Sequence, residues 1–97
     1  MVSKLRKVES ILNEKTLLVA VDIGKFQNTA YCQLPDGREI PVFSFVNYGK
    51  GIRSFWNRIE TLRHQSGMLE IVVGFEPTGC YGEPMVHFLK DKKRVRL

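Results

Sequence analysis

Two short runs of apolar residues stand out along the chain, and each ends on a carboxylate followed closely by glycine or proline. The first lies within 17–23 and ends at Asp22, and the second lies within 70–76 and ends at Glu76. Short runs that are rich in valine and isoleucine are typical of strands buried on both faces, as in a parallel sheet. We therefore predict one strand over 17–23 and another over 70–76.

The residues between these two runs predict a pair of antiparallel strands. Apolar and polar positions alternate over 28–34, which indicates a strand with one wetter face. The segment 35–38 predicts a tight reversal, because its glycine permits a positive φ. A third strand is predicted over 39–46, where Pro41 cannot donate a ladder hydrogen bond and so indicates an edge or a bulge.

The segment 52–65 has the clearest helical pattern of the chain. Its apolar residues recur at the spacing of one helix face, and Trp56 is interpreted as a core residue rather than a base-stacking residue. Gly67 is predicted to end this helix. The charged residues of the segment are predicted to face solvent: Arg53, Arg58, Glu60 and Arg63.

Three further segments complete the predicted order of elements. Residues 1–16 show a weak amphipathic pattern, which predicts a leader helix. A second helix is predicted to begin near Tyr81 with Pro84 in its first turn. Residues 94–97 resemble the start of a fifth strand, which would be truncated.

This order of elements predicts an α/β domain over 17–97. A right-handed crossover through the 52–65 helix would place the strand over 70–76 beside the strand over 17–23. The result is a mixed sheet of order 3-2-1-4-5 with helices on its faces, which is the ribonuclease H-like fold.

Composition and charge narrow the possible functions of the chain. Hydrophobic residues make up 43% of the 97 residues and charged residues 26%, as in one soluble globular domain. No apolar stretch is long enough to cross a bilayer, and no apolar block follows the first lysines, so neither a membrane partner nor a signal peptide is expected. Cys32 and Cys80 have no metal-ligand spacing, and we expect reduced thiols in a cytoplasmic protein.

The net charge of +5 is concentrated in basic residues near both ends of the chain. Lys92, Lys93 and Arg94 form part of one such group. An excess of basic over acidic residues favours a polyanionic partner such as nucleic acid. Contacts of this kind are expected to be electrostatic and largely independent of the nucleic-acid sequence. The alternative is a solvated helix end whose lysines complement the helix dipole.

The two strand-end acids are the main candidates for chemistry. Neighbouring strands lie about 4.8 Å apart, so Asp22 and Glu76 can share a cation. Oxygen ligands select Mg²⁺ or Mn²⁺, which serve in phosphodiester cleavage and transfer. Lys25 and Thr78 are candidate contacts to a phosphate. The alternative is structural, with Asp22 in a turn and Glu76 capping a helix or pairing with Lys25.

Several stretches of the chain resemble the N-terminal RuvC-like domain of the DEDD insertion-sequence transposases, which are bacterial mobile-element enzymes. The resemblance covers about 17–97. Its most specific part is the Glu-Pro-Thr-Gly at 76–79 with a tyrosine two positions on. The matching stretches are Val21 to Lys25, Leu34 to Gly37, Phe45 to Gly51, Val73 to Tyr81, Pro84, and His87 to Leu89.

The resemblance implies a DNA transposase that moves an insertion sequence by metal-dependent strand cleavage and transfer. Asp22 and Glu76 match the first two of the family's four acids. The other two, and a C-terminal domain with a nucleophilic serine, would lie beyond Leu97, so the chain is expected to be an incomplete fragment that is inactive alone. Members of the family act on DNA as homo-oligomers, and some are guided by a structured RNA.

Two other functions remain open from the sequence. The actin-like sugar kinases and ATPases also begin with a strand that ends Asp-x-Gly, but the loop at 25–27 lacks the glycine and threonine of their phosphate loop. The third possibility is a non-catalytic nucleic-acid-binding module that uses only its basic ends.

Overall fold

The structure is a computed structural model that describes residues 15–75 and 81–92, together with the backbone of 95–96. Its strands are β1 (Thr16–Asp22), β2 (Gln27–Gln33), β3 (Phe43–Val46), β4 (Glu70–Phe75) and β5 (Val95–Arg96). Its helices are α1 (Gly49–Gln65) and α2 (Glu83–Leu89).

The strands form one mixed sheet in the order β3-β2-β1-β4-β5. The pairs β1–β2 and β2–β3 are antiparallel, whereas β1–β4 and β4–β5 are parallel. The predicted α/β class with a mixed sheet is therefore confirmed. The parallel pair requires the chain to cross from the end of β3 to the start of β4, and α1 provides this crossover.

Both helices pack against the same face of the sheet. Alternate residues of β1 are buried on that face, because successive side chains of a strand point to opposite sides. The core formed there comprises mainly Leu17, Val19, Val21, Phe45, Ile52, Phe55, Ile59, Ile71, Met85 and Leu89. Trp56 packs against this core with its ring centroid 6.4 Å from that of Phe88, so its interpretation as a packing residue is confirmed.

The predicted third strand is wrong in its first half. β3 begins at Phe43, and Glu39 forms only an isolated bridge with Gln33. Pro41 lies between them and has no backbone N–H, which explains why the ladder is interrupted there. The reversal before it agrees with the prediction, since Gly37 has a φ of 86°.

α1 begins at Gly49, one turn earlier than the pattern predicted. The helix starts against the end of β3, where the backbone of Gly51 lies directly on Val46. A Cβ at position 51 would lie 2.7 Å from both the N and the C of Val46, closer than real Cβ atoms approach. Position 49 differs, because a Cβ there would meet no atom within 4 Å.

The end of α1 agrees with the prediction at Gly67 but not at Arg63. Gly67 has a φ of 74°, and Met68 N–H donates to the Arg63 carbonyl at 2.9 Å, which closes the helix in a Schellman arrangement. The prediction that Arg63 faces solvent is wrong. Its side chain is buried, and its guanidinium donates to the Glu60 carboxylate at 3.0 Å and to the Met68 carbonyl at 2.9 Å.

The remaining predicted boundaries shift by one or two residues. The second helix begins at Glu83 rather than near Tyr81, with Pro84 in its first turn as predicted. Thr16 belongs to β1 and not to the leader, while residues 1–14 lie outside the described part of the chain. No helix among the described residues is both long and apolar enough to cross a membrane.

Candidate functional site

Asp22 is the last residue of β1, and its side chain is exposed at the carboxyl end of the parallel strands. The parallel register pairs Val21 of β1 with Phe75 of β4. Each of these residues comes directly before one of the two predicted acids. Glu76 itself lies outside the described residues. The register therefore establishes the pairing of the residues before the two acids, and the distance between the acids is not described.

The predicted phosphate and nucleic-acid contacts fall into two groups. Thr78, Lys93 and Arg94 lie outside the described residues. Lys25 is exposed in the loop after β1, with its Nζ 5.2 Å from the centroid of the Phe26 ring. Lys25 therefore lies on the same edge of the sheet as Asp22.

Lys92 lies elsewhere on the molecule. Its Nζ is 4.5 Å from the centroid of the Phe88 ring and 5.4 Å from that of Trp56. It comes after α2, which returns the chain from the carboxyl end of β4 to the start of the parallel strand β5. Lys92 is thus at the amino end of the parallel strands, opposite Asp22, and the structure does not bring the two together.

Two buried asparagines hold the loops beside Asp22. Asn28 is fully buried, and its Oδ1 accepts a hydrogen bond from the Gly24 N–H at 3.0 Å. Its Nδ2 donates to the Oδ1 of Asn47 at 2.9 Å, and Asn47 is only 5% exposed. The first asparagine therefore links the loop after β1 to the loop after β3.

Asn47 connects three segments that are distant in sequence. Its Nδ2 donates to the Gly24 carbonyl at 3.2 Å and to the Tyr81 carbonyl at 2.8 Å. Its backbone N–H donates to the Phe26 carbonyl at 2.9 Å. A buried amide with this many partners stabilises one arrangement of the surrounding loops, because each unpaired alternative would leave a buried polar group unsatisfied.

Sequence reasoning did not single out these asparagines, although the strand pattern contains the signal. Asn28 is in phase with the buried residues Ala30 and Cys32 of β2. Asn47 is likewise two positions beyond the buried Phe45. A polar residue that continues the apolar phase of a strand is expected to point into the core, where it needs a hydrogen-bonding partner.

Two groups with shifted pKa values lie away from this edge. Hydrogen bonds from the backbone N–H and then the side chain of Arg38 hold the pKa of the exposed Asp36 below its usual value. Burial raises the pKa of the Cys32 thiol to about 11, although the positive charge of Arg58 opposes that shift. Cys32 is therefore a neutral core residue at physiological pH and not a nucleophile.

Of the two predicted metal ligands, Asp22 lies among the described residues. Within 15–75 and 81–92, no three His, Cys, Asp or Glu side chains are grouped so as to hold a metal ion. Asp22 is an exposed carboxylate at this edge, and Glu76, the second predicted ligand, lies outside the described residues. Carboxylate oxygens are the donors that Mg²⁺ and Mn²⁺ prefer, so the donor type fits these ions.

Comparison with known proteins gives no match, either to a family model or to a curated sequence.

Proposed function

We propose that this chain is the N-terminal part of the ribonuclease H-like, RuvC-like catalytic domain of a DEDD insertion-sequence transposase. In this proposal the whole protein cleaves and transfers DNA strands with the help of Mg²⁺ or Mn²⁺. Asp22 and Glu76 are the two metal-binding catalytic acids that this part of the protein supplies.

The parallel register of β1 with β4 carries the proposal. Val21 and Phe75 are partners across the two central strands, and each is followed immediately by one of the acids. Ligands of open sheets with parallel strands bind at the carboxyl ends of adjacent strands, where the loops diverge. Asp22 lies at such a position and is exposed to solvent.

The architecture supports the finer fold assignment within this proposal. An antiparallel meander of β1, β2 and β3 continues through α1 into β4, which is parallel to β1. A ribonuclease H-like domain has this arrangement. Fold alone does not define an activity, so the strand-end acids and not the sheet are the basis of the functional proposal.

The chain's own residues would prepare this edge for a cation and a phosphate. When bound, divalent cations neutralise the charge that builds up on phosphorus and on the entering and leaving oxygens. Asp22 would provide carboxylate oxygens, and Lys25 would provide a positive charge to a substrate phosphate. Asn28 and Asn47 hold the neighbouring loops with neutral amides, so they add no fixed charge beside the carboxylate.

Titration with Mn²⁺ while recording amide NMR signals tests the proposal. Paramagnetic Mn²⁺ broadens the signals of nearby amides, and we expect the broadening to centre on Asp22, Ile23 and Thr29, which pairs with Asp22. Binding should be weak, because two carboxylates supply only half of a four-acid site and water must complete the coordination. DNA cleavage by this chain alone is not expected.

Matched variants make the titration decisive. Asp22→Asn and Glu76→Gln should each abolish the localised broadening, whereas Asp91→Asn, which changes an exposed acid after α2, should leave it unchanged. Broadening that persists in Asp22→Asn would refute the metal site. A large increase in the melting temperature with Mg²⁺ and ATP would favour the actin-like kinases instead.

The partners of the whole protein follow from the same proposal. DNA is the proposed substrate and a homo-oligomer is the proposed active form, and a structured RNA guides some members of the family that the chain resembles. These three statements rest on the family resemblance and not on the geometry of the described residues.

A further inference from the structure

Three large aromatic side chains are exposed on the loops next to Asp22. Phe26 follows β1 and is 62% exposed, Tyr48 follows β3 and is 55% exposed, and Tyr81 precedes α2 and is 39% exposed. Aromatic side chains gain much from burial, so a group of exposed rings at one edge of a domain indicates a surface that binds something.

The Asn47 hydrogen bonds hold the backbones of these three residues together. Asn47 N–H donates to the Phe26 carbonyl at 2.9 Å, and Asn47 Nδ2 donates to the Tyr81 carbonyl at 2.8 Å. Tyr48 is the next residue along the chain, and its carbonyl accepts the Ile52 N–H at 2.8 Å as α1 begins. The three rings therefore start from backbone positions that are fixed relative to one another.

Two exposed lysines lie close in sequence to these aromatic residues. Lys25 lies beside Phe26, and Lys50 lies two residues after Tyr48 in the first turn of α1; both side chains are exposed. Neither lysine forms an ion pair with any residue that the structure describes. Exposed rings interleaved with exposed cations match the chemistry of a nucleotide strand, whose bases stack and whose phosphates are negative.

We propose that Phe26, Tyr48 and Tyr81 stack on unpaired bases of a single DNA strand that passes along the Asp22 edge. Lys25 and Lys50 would contact the phosphates of that strand. The inference deepens the proposed function and rests on it for the choice of DNA. It adds that this edge prefers bases that are not paired, since bases within a duplex offer no free face to a side chain.

The test measures binding of a fluorescein-labelled dT20 strand and a 20-base-pair duplex by fluorescence anisotropy, with the full 97-residue chain in EDTA at low salt. We expect dT20 to bind more tightly than the duplex. The combined variant Phe26→Ala, Tyr48→Ala and Tyr81→Ala should weaken dT20 binding about tenfold or more, since stacking on one base alone can account for about a fivefold change. Duplex binding should change little.

Two further variants separate stacking from other effects. Leu69→Ala removes an exposed apolar side chain of similar exposure at the opposite end of β4, and it should leave dT20 binding unchanged. Tyr48→Phe with Tyr81→Phe keeps both rings without the hydroxyls and should retain the binding of the original chain. If the triple variant is unfolded by circular dichroism, the single change Tyr48→Ala, at a largely exposed side chain, provides the measurement.

Several outcomes would overturn the inference. These are equal affinity for dT20 and the duplex, dT20 binding that is unchanged when the rings are removed, absence of any dT20 binding, and binding of an rU20 strand in place of dT20. Because the assay contains no metal, its result is independent of the Mn²⁺ titration. Failure here with localised Mn²⁺ broadening refutes only the base-stacking surface, and the reverse pattern refutes only the metal site.

Discussion

Two buried hydrogen-bond networks hold opposite ends of the sheet, and they differ in both reach and charge. At the amino end of β4, Arg63 bonds to Glu60 and to Met68, which are within five residues of it in sequence. At the carboxyl end, Asn28 and Asn47 are 19 residues apart. Asn47 also reaches a carbonyl 34 residues away.

The two networks depend on different parts of the fold. The Arg63 network requires only α1 and the turn that follows it, because all its members are within five residues of Arg63. The Asn47 network requires the loop after β1, the loop after β3 and the segment before α2 to be adjacent. It is also neutral, whereas a buried arginine beside Asp22 would stabilise the carboxylate itself and compete with a cation.

The largest expected effect is the loss of the Asn47 amide. Asn47→Leu leaves Asn28 Nδ2 and the carbonyls of Gly24 and Tyr81 without this partner, and each unsatisfied buried group costs about 1–3 kcal/mol. We expect the free energy of unfolding in urea to fall by about 3 kcal/mol, after allowing for partial access of water. Asn57→Leu, at an exposed position of α1, is the control and should change it by less than about 0.5 kcal/mol.

A second measurement on the same variant tests whether this network serves the site. Under native conditions Asn47→Leu should also lose the localised Mn²⁺ broadening, because the loop after Asp22 is no longer held. An Asn47→Leu protein as stable as the Asn57→Leu control would show that the long-range network is not what orders this edge.

The next effect concerns Cys32, which lies on the buried face of β2 with Asn28. Unlike the amide of Asn28, its thiol can lose a proton at high pH. Below about pH 9 the thiol is neutral in both the folded and unfolded chains. Between pH 9 and about 11 the unfolded chain releases the proton while the folded chain retains it, so rising pH favours unfolding. We expect this group to lower the free energy of unfolding by about 2 kcal/mol across that range.

Comparison of the chain with Cys32→Ala isolates this effect from the titration of lysines and tyrosines. The difference between their unfolding free energies should narrow from pH 9 to pH 11. A difference that is independent of pH would mean that water reaches the thiol in the folded chain.

The smallest effect is expected at Arg63. Arg63→Met keeps the buried stem but removes the bonds to Glu60 and Met68, and the Glu60 side chain is 30% exposed and can be solvated instead. The free energy of unfolding should fall by about 1 kcal/mol. Arg53→Met, at an exposed position of the same helix, is the matched control.

The Arg63 variant also tests whether the Arg63 network affects the loops beside Asp22. Its Mn²⁺ broadening should remain centred on Asp22, since the local network at the other end does not hold the loops of the site. Loss of that broadening in Arg63→Met, with the chain still folded, would show that the two ends are coupled.

The features that sequence predicted correctly depend on local pattern. The apolar runs of β1 and β4 identify buried strands whatever surrounds them, and Gly67 ends α1 because its own backbone has a positive φ. Asp22 was predicted at a strand end for the same reason, since it directly follows such a run.

The features that sequence missed depend on contacts between distant segments. The charge of Arg63 predicts an exposed side chain, but the turn after α1 brings the Met68 carbonyl to its guanidinium. The strand phase marks Asn28 and Asn47 as buried but does not identify their partners, because each gains its partner only when β2 and β3 are adjacent. Glu76 lies outside the described residues, and its prediction stays a prediction.

The contact between Gly51 and Val46 has a consequence for how this sequence can vary. Any change at position 51 places new atoms against the backbone of β3, so relatives that keep this corner should carry glycine there. Position 49 faces open space and should accept many residues, including a cysteine that carries a spectroscopic label. One turn of helix thus holds both a position that requires glycine and an attachment point one residue from Tyr48.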